Sequence, residues 1–377
     1  MAKQPPETWM ARALQLARRG LYTAHPNPRV GCVLVKRQRV VGEGYHLRAG
    51  EPHAEIHALR AAGEAARDAT AYVTLEPCSH QGRTGPCAQA LIEAKVKAVV
   101  VAMADPNPAV AGRGIAMLRD AGIEVTLGLL EDQAMALNPG FVMRMNHGRP
   151  FVRLKMAMSL DGRTAMQSGE SQWITGPHAR REVQRLRARS SAVLTGVDSV
   201  IFDNSRLTVR PEALELADAE QAEAIARRQP LRVVVDTQLR LPQASACLSE
   251  PGRTLVATCA GHDMEKRQRL ERAGAEVVEM PAGPEGRVDL HALLRYLAEA
   301  EQANEVLLET GATLAGAMLD VGLVDEMQLF VAPTLLGGEA RPLFALPGLS
   351  DMAHQRPLEI LDIRAVGRDW RITALPR

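Results

Sequence analysis

Aromatic residues, cysteines and long apolar runs are all scarce in this chain of 377 residues. Phe, Trp and Tyr together make up 3% of it, which argues against stacking platforms for nucleic-acid bases. The formal net charge is +1, so the chain also lacks the basic excess of a nucleic-acid surface. No stretch approaches the roughly 18 apolar residues that a membrane span needs. These absences favour an enzyme with a small substrate and argue against nucleic-acid and membrane partners.

The cysteine count is also low and odd, at five. Such usage argues against a disulfide framework and for a reducing compartment. The residues numbered 1–6 contain no apolar run, so no signal peptide is expected and a cytoplasmic location is predicted. The chain is long enough for two or three domains with cores of their own.

One stretch combines residue types that bind zinc. It opens with His53-Ala54-Glu55 and closes with Pro77-Cys78 followed by Cys87. One imidazole and two thiols suit zinc, and three protein ligands leave a fourth position for water, as in a catalytic site. Zinc lowers the pKa of bound water to about 7. Glu55, two residues past the histidine, could then move the proton to a departing amine.

The pattern resembles the nucleobase-deaminase signature H-x-E…P-C-x-x-C, but eight residues separate the two cysteines instead of two. Three alternatives therefore remain open from the residues alone. The histidine and glutamate could lie on a helix surface, with the cysteines buried and inert. A structural zinc could recruit His46 or His80 as a fourth ligand. The domain could also belong to a deaminase that edits nucleic acids.

Hydrophobic patterns in the first half predict a helix, two strands, and then alternating helices and strands. This order indicates an α/β/α domain built on one central sheet. A single helix is predicted over residues 131–145. The run from Asn146 to Pro150 reads as a linker, which divides the chain into domains 1–148 and 149–377. Helix and strand signals alternate again in the second half, and the acidic, alanine-rich residues 212–228 are predicted to be a solvated excursion.

The second half lacks the Gly-x-Gly-x-x-Gly dinucleotide fingerprint. Two other glycine turns lead from a predicted strand towards a helix, one at Gly196 and one at Gly311. Backbone amides at such a helix start can bind phosphate. Each turn on its own is weak evidence, because simple packing produces the same pattern.

With these residues identified, the chain resembles one family along nearly its whole length. The family is the bifunctional riboflavin-biosynthesis enzymes that combine a diaminohydroxyphosphoribosylaminopyrimidine deaminase with a 5-amino-6-(5-phosphoribosylamino)uracil reductase. The matching motifs in the first half are His25-Pro26-Asn27-Pro28-Arg29, Glu51-Pro52-His53-Ala54-Glu55, Glu76-Pro77-Cys78-Ser79-His80, Asp105-Pro106-Asn107-Pro108 and Gly112-Arg113-Gly114. Those in the second half are Lys155, Ser159-Leu160-Asp161-Gly162, Ser171-Gln172-Trp173, Leu207-Thr208-Val209-Arg210 and the turn from Gly311 to Gly316.

The resemblance implies a cytidine-deaminase-like zinc domain followed by a dihydrofolate-reductase-like α/β domain. It implies two consecutive reactions on phosphorylated pyrimidine nucleotides. The pyrimidine 2-amine is first hydrolysed off as ammonia, and NADPH then reduces the ribosyl group to ribityl. The long loop between the two cysteines is itself a mark of the family. A homo-oligomer is also expected.

For the deaminase, the family match places zinc on His53, Cys78 and Cys87 and gives proton transfer to Glu55. It places Asn27, His46, His80 and Arg83 at the substrate. For the reductase, it places the nucleotide at Ala157, Trp173, Ser199, Asp203, Gly311, Ala312, Thr313, Leu314, Ala315, Gly316 and Ala317. It places the substrate at Ser171, Arg187, Leu207, Arg210 and Glu309.

The reduction requires a proton donor, because the ribosyl ring must open. Lys155 and Asp203 are therefore predicted to be catalytic, with Glu309 beside them, and Arg187 and Arg210 to bind the substrate phosphate. Ser205 departs from the family, which usually has proline there, and this change should loosen the loop that follows Asp203. Cys32, Cys247 and Cys259 match no metal pattern and are predicted to be small buried hydrophobes.

Overall fold

The structure is a computed structural model that describes residues 4–79, 85–108, 110–261 and 263–377. The chain divides into two compact units, Met1–Gly148 and Arg149–Arg377. Each unit has its own hydrophobic core, formed in the first by residues such as Met10 and Leu34 and in the second by residues such as Leu154 and Leu308. Within the described residues, no helix is both long and apolar enough to cross a membrane.

The first unit alternates helices and strands as the apolar patterns predict. Its described helices are α1 (Pro6–Arg18), α2 (Ala54–Ala62), α3 (Cys87–Glu93), α4 (Arg113–Asp120), α5 (Glu131–Leu137) and α6 (Pro139–His147). Its described strands are β1 (Gly31–Lys36), β2 (Arg39–Tyr45), β3 (Thr70–Val73), β4 (Ala98–Val101) and β5 (Glu124–Leu127). The strands form one sheet in the order β2-β1-β3-β4-β5.

Strand β1 is antiparallel to both β2 and β3, whereas β3, β4 and β5 run parallel to one another. Helix α2 packs closely on β2 because Gly44 has no side chain. A Cβ atom there would collide with the carbonyl oxygen of Ala54, the first residue of α2. This close approach fixes the start of α2, where the predicted metal ligand and proton carrier lie.

The single helix predicted over residues 131–145 is wrong. The chain breaks at Asn138, whose φ of −123° and ψ of 42° are not helical, and α6 begins with Pro139. A residue that precedes proline is disfavoured in the helical region, so the break has a local cause. The side chain of Asn138 accepts from the amide of Arg29 at 2.7 Å and donates to its carbonyl at 2.9 Å. The break thereby anchors the loop that carries Asn27.

The second unit contains a larger sheet. Its described strands are β6 (Phe151–Ser159), β7 (Arg163–Ala165), β8 (Ala192–Gly196), β9 (Leu231–Val235), β10 (Thr254–Cys259), β11 (Ala275–Met280), β12 (Glu305–Glu309), β13 (Glu326–Ala332), β14 (Arg341–Pro342), β15 (Leu358–Val366) and β16 (Asp369–Pro376). Its described helices are α7 (Pro177–Arg189), α8 (Val197–Asp203), α9 (Ala219–Ala226), α10 (Ala246–Ser249), α11 (Met264–Arg272), α12 (Leu290–Glu299) and α13 (Ala312–Asp320).

The nine-stranded sheet has the order β11-β10-β9-β8-β12-β6-β13-β16-β15. The strands from β11 to β13 in that order are mutually parallel, whereas β16 and β15 are antiparallel additions at one end. Parallel strands bring their carboxyl ends to one edge, which is where open α/β sheets bind ligands. The segments after β6, β8, β9 and β12 therefore meet there.

Two features of the second unit differ from the sequence prediction. Residues 212–228 are not merely a solvated excursion, because α9 lies within them and buries Ala222, Ile225 and Ala226. The helix that follows the Gly196 turn is α8, whose extent was not predicted, and it makes Asp203 the last residue of a helix. The prediction for the three remaining cysteines is confirmed, since Cys32, Cys247 and Cys259 are all buried.

Candidate active sites

The predicted metal ligands of the first unit meet at one point. His53 immediately precedes α2, Cys78 lies in the loop after β3, and Cys87 begins α3. The Nδ1 atom of His53 lies 3.6 Å from Sγ of Cys78 and 3.3 Å from Sγ of Cys87. The three candidate ligand atoms all lie within 4.8 Å of one another. The fold thus assembles the trio from three separate elements.

This donor set fits zinc. In a tetrahedral site, zinc–sulfur bonds of about 2.3 Å and zinc–nitrogen bonds of about 2.0 Å place ligand atoms roughly 3.5 Å apart. Hydrogen bonds, first from Cys87 and then from His53, lower the pKa of Cys78 to about 4, although burial opposes the shift. The hydrogen bond to Cys78, together with burial, raises the pKa of Cys87. One thiolate is therefore available at neutral pH before any cation binds.

Glu55 is a buried carboxyl beside this trio. It is the second residue of α2 and is 3% exposed. Its Oε2 atom has no hydrogen-bond partner within the described residues. Burial raises the pKa of Glu55 to about 7, with His53 acting in the opposite direction. A carboxyl with such a pKa can take up and release a proton near neutral pH.

Asn27 and His46 form a second group at the same place. The Nδ2 atom of Asn27 lies 3.0 Å from Nε2 of His46, and Nδ1 of His46 lies 3.3 Å from the carbonyl of Pro52. The ring of His46 stands edge-on to that of His53, with 5.2 Å between centroids. Both ring nitrogens of His46 have partners, and burial lowers its pKa. This geometry argues against His46 as a fourth zinc ligand.

The second unit contains a cavity of about 1010 Å³ at the carboxyl edge of its sheet. Most of the residues predicted for the reductase line it. They are Lys155, Ala157, Ser171, Trp173, Arg187, Ser199, Asp203, Leu207, Arg210, Glu309, Gly311, Ala312, Thr313, Leu314 and Ala317. The fold therefore gathers, from most of the length of this unit, residues that the sequence analysis had named separately.

The two glycine turns lie side by side in this cavity, because β8 and β12 are neighbours in the sheet. The amide of Gly196 donates to Oγ1 of Thr310 at 3.2 Å, and the amide of Gly311 donates to Oγ of Ser199 at 3.1 Å. Around Gly311 there is room for a ligand, since the nearest atom to a Cβ built there would be Ser199 Oγ at 3.8 Å. The first amides of α13 lack helical partners and suit a phosphate group.

A charged group with largely buried side chains lines the cavity, where the side chain of Arg187 is 16% exposed and that of Glu309 is 11% exposed. Nε and Nη2 of Arg187 donate to the two carboxylate oxygens of Glu309 at 2.6 and 2.9 Å, and Nη1 donates to the carbonyl of Thr208 at 3.0 Å. Lys155 lies directly opposite Glu309 on the adjacent strand β6. Burial lowers the pKa of Lys155, although the charge of Glu309 opposes the shift. Burial alone would raise the pKa of Glu309, but Arg187 holds it below its ordinary value.

Asp203 and Trp173 also line the cavity. Oδ1 of Asp203 accepts a hydrogen bond from Oγ of Ser171 at 2.7 Å. Trp173 is 68% exposed, and the guanidinium of Arg180 stacks 4.8 Å from its ring centroid. An exposed indole inside a large cavity offers a flat apolar surface for a ring-bearing ligand.

Comparison with known proteins identifies both units of the chain. The family model of the cytidine and deoxycytidylate deaminase zinc-binding region matches residues 3–103, and that of the RibD C-terminal domain matches residues 150–372. The riboflavin biosynthesis protein RibD of Escherichia coli (strain K12) is 52% identical over 369 residues, covering 96% of this chain and 97% of that protein. The chain belongs to the RibD family.

Solved RibD structures share the whole fold. A RibD structure from Acinetobacter baumannii (form 1) is 49% identical, with a TM-score of 0.90 and 98% of both chains covered. A deaminase/reductase from Thermotoga maritima is 33% identical, with a TM-score of 0.82 and 98% of both chains covered. The predicted fold class is confirmed, since a cytidine-deaminase-like domain precedes a RibD reductase domain. The chain is a bifunctional deaminase and reductase of riboflavin biosynthesis.

Some predicted residues of the RibD sites are not found at the cavity. Ala315 and Gly316 were assigned to the nucleotide, but neither lines the cavity. They lie in the second turn of α13, where Ala315 faces the core and Gly316 packs against the carbonyl of Ala345. His80 and Arg83, assigned to the substrate, lie outside the described residues.

The reductase cavity also includes residues outside the predicted sites. Asp236, Thr237 and Arg240 follow β9, and Arg287 precedes α12. No local motif marks them. Only the sheet topology could have indicated them. Because β9 is the parallel neighbour of β8, its carboxyl end lies at the edge of the sheet where the cavity is.

Proposed function

We propose that the chain converts 2,5-diamino-6-(ribosylamino)pyrimidinone 5′-phosphate in two steps. The first unit, residues 1–148, removes the 2-amine by zinc-dependent hydrolysis. The second unit, residues 149–377, uses NADPH to reduce the ribosyl group of 5-amino-6-(5-phosphoribosylamino)uracil to ribityl. The observation that carries the proposal is the His53, Cys78 and Cys87 trio with the buried carboxyl of Glu55 beside it.

In the deaminase, His53 Nδ1 and the two thiolates would hold zinc. Zinc, when bound, supplies Lewis acidity that brings the pKa of water at the site to about 7. Glu55 takes a proton from the attacking water and returns it to the leaving amine nitrogen. Asn27 and His46 orient the base, with His80 and Arg83 as predicted substrate residues.

In the reductase, the amides of Ala312, Thr313 and Leu314 would bind the phosphates of NADPH, with Ser199 holding the Gly311 turn in place. NADPH, when bound, supplies the hydride. Trp173 and Ala157 border the nucleotide, and Lys155 and Asp203 donate or hold the proton that ring opening requires. Ser171 keeps the carboxyl of Asp203 in place.

The two arginines assigned to the substrate phosphate have different surroundings. Arg187 is held by Glu309 and Thr208, so its main effect is to orient the carboxylate of Glu309. Arg210 is exposed on the cavity wall, where its planar fork can meet phosphate oxygens. We therefore assign the principal phosphate contact to Arg210, with Leu207 beside it, and keep Arg187 as a substrate residue that acts next to Glu309.

Self-association with a second copy of the chain is also proposed. Strand β15 lies at the edge of the large sheet, and apolar side chains on β15 and β16 are exposed, including Ile360 at 56%, Ile363 at 53% and Trp370 at 51%. A sheet edge with apolar side chains is a ready surface for pairing.

The proposed interface can be tested at Ile363 on β15. We expect Ile363→Lys to shift the protein towards a smaller species in sedimentation velocity. An unchanged distribution would exclude this edge from the interface.

The proposed activities can be measured separately. Purified protein is given the diaminopyrimidine ribotide, zinc and NADPH, and ammonia release and NADPH oxidation are followed independently. We expect ammonia release without NADPH and NADPH oxidation only after deamination. Failure to release ammonia from this ribotide by the zinc-loaded protein would refute the proposed deaminase.

The domain assignment predicts that the first unit is independent. Because the described buried residues of its core all lie between Trp9 and Phe141, a fragment ending at Gly148 is expected to fold and to retain one zinc per chain. Metal analysis after gel filtration measures this, with the Cys87→Ser fragment as the metal-free control. A fragment that stays unfolded even with added zinc would contradict the assignment.

The proton role proposed for Asp203 predicts a selective defect. Asp203→Asn should slow turnover by roughly 10²- to 10⁴-fold, because the amide cannot transfer the proton, while NADPH still binds. NADPH oxidation with pre-deaminated substrate isolates this step from the zinc site, and fluorescence titration measures NADPH binding. Turnover at the parent rate across the pH range would remove Asp203 from the mechanism.

A further inference from the structure

Glu76 is a buried carboxylate that neither proposed reaction uses. It lies two residues before Cys78 and is 3% exposed. Its side chain accepts four backbone hydrogen bonds. Oε1 accepts from Gly114 at 2.9 Å and Ile115 at 3.2 Å, and Oε2 accepts from Gly112 at 3.0 Å and Asp105 at 3.2 Å.

These four bonds join two parts of the first unit. The amides of Gly114 and Ile115 belong to the first turn of α4, whose own helix provides them no partners. The amides of Asp105 and Gly112 belong to the loop between β4 and α4. The carboxylate thus fills the amino end of α4 and holds both ends of the loop that leads into it. These bonds give a structural role to the motifs around Asp105 and Gly114, to which neither proposed reaction assigns a function.

A second contact joins the same parts through backbone packing. Gly114 presses directly on the carbonyl of Pro77, so that a Cβ at position 114 would collide with it. The amide of Glu76 also donates to the carbonyl of Met103 at 3.0 Å, and the carbonyl of Cys78 accepts from the amide of Ala88 at 3.1 Å. The segment from Glu76 to Cys78 is therefore fixed on both sides.

We propose that Glu76 is a positioning residue of the zinc centre, which holds Cys78 at its place by tying the Glu76–Cys78 segment to the amino end of α4. The inference rests on the proposed zinc site. Residues that orient metal ligands from outside the ligand set typically contribute roughly 10- to 100-fold to metal affinity. Glutamine keeps the shape of Glu76, but its NH₂ group must face one pair of amide donors, so one half of the connection is lost.

The test measures zinc release from the full-length protein into a chromophoric chelator. We expect Glu76→Gln to release zinc roughly 10- to 100-fold faster than the parent. Its kcat for deamination should fall while KM changes little. Gly114→Ala displaces Pro77 without removing a charge, and we expect it to accelerate zinc release as well. If Glu76→Gln does not fold, the zinc release from Gly114→Ala tests the positioning role instead. NADPH oxidation with pre-deaminated substrate should stay at the parent rate in both variants.

Leu14→Ala is the matched control, because Leu14 is a buried core residue of the same unit on α1, away from the connection. It should weaken the unit without accelerating zinc release. Equal release from Leu14→Ala and Glu76→Gln would overturn the proposal, because general instability would then explain the loss. Parent-like release from folded Glu76→Gln or folded Gly114→Ala would also overturn it. A parent protein that retains no zinc would instead refute the proposed zinc site.

Discussion

Replacing Glu55 by glutamine should leave zinc bound and reduce ammonia release by roughly 10²- to 10⁴-fold, the usual contribution of a positioned acid–base group. Glutamine has nearly the shape of glutamate and fits the same buried place, but its amide cannot accept a proton from water. Metal analysis of the purified variant and a coupled ammonia assay measure the two properties independently.

The exposed Glu64, which follows α2, provides a control. Glu64→Gln removes the same charge without touching the site and should release ammonia at the parent rate. In Glu55→Gln, NADPH oxidation with pre-deaminated substrate should also be unchanged. Loss of zinc from Glu55→Gln would make Glu55 a structural residue, and near-normal turnover would remove it from the proton transfer.

The second large effect is expected at Glu309. Glu309→Gln leaves the guanidinium of Arg187 and the amine of Lys155 in a largely buried place without their counter-charge. Removing one partner of a buried ion pair typically costs about 3 to 5 kcal/mol of unfolding free energy. We expect a loss of this size for the second unit, together with loss of NADPH oxidation. Calorimetry of the full chain measures the stability, provided that the two units give separate transitions.

An exposed ion pair in the same unit supplies the comparison. Arg253 and Glu276 lie 2.6 Å apart with side chains about half exposed, at 53% and 48%. Glu276→Gln should cost less than about 1 kcal/mol, because solvent already screens the pair. If Glu309→Gln and Glu276→Gln cost the same, Glu309 does not neutralise a buried charge.

The pH dependence of the Glu309→Gln effect has a definite sign. The pKa of Glu309 is below its ordinary value because Arg187 outweighs the effect of burial. Its carboxylate therefore contributes stability above the unfolded pKa of about 4.3, and this contribution is lost as the pH falls through the lower folded pKa. The difference in stability between the parent and Glu309→Gln should therefore shrink below about pH 4 and be constant near neutrality.

Local patterns predicted those parts of the fold that depend on local physics. Local signals mark strand β9, which is a short run rich in valine, and helix α7, which begins with proline after glycine. The break at Asn138 was also predictable, since proline follows it. Strand β15 was not predictable, because both of its faces are largely exposed and its apolar residues show no period of two.

The two candidate sites also differ in how far local sequence patterns predicted them. The trio of His53, Cys78 and Cys87 has a spacing that indicates a metal, so the sequence was enough to suggest it. The pair of Arg187 and Glu309 spans 122 positions along the chain and exists only because α7 packs near the end of β12. No local signal distinguishes Arg187 from the other arginines of α7. The pairing of Arg187 with Glu309 is therefore evident only from the structure.

The reciprocal bonds between the two glycine turns have a consequence for affinity. Thr310 holds the amide of Gly196 while Ser199 holds that of Gly311, so each turn supplies the hydroxyl that fixes the other. The two loops therefore behave as one rigid piece before any ligand arrives. An anion that enters between them meets donors that need no ordering, and little of its binding energy is lost to conformational entropy.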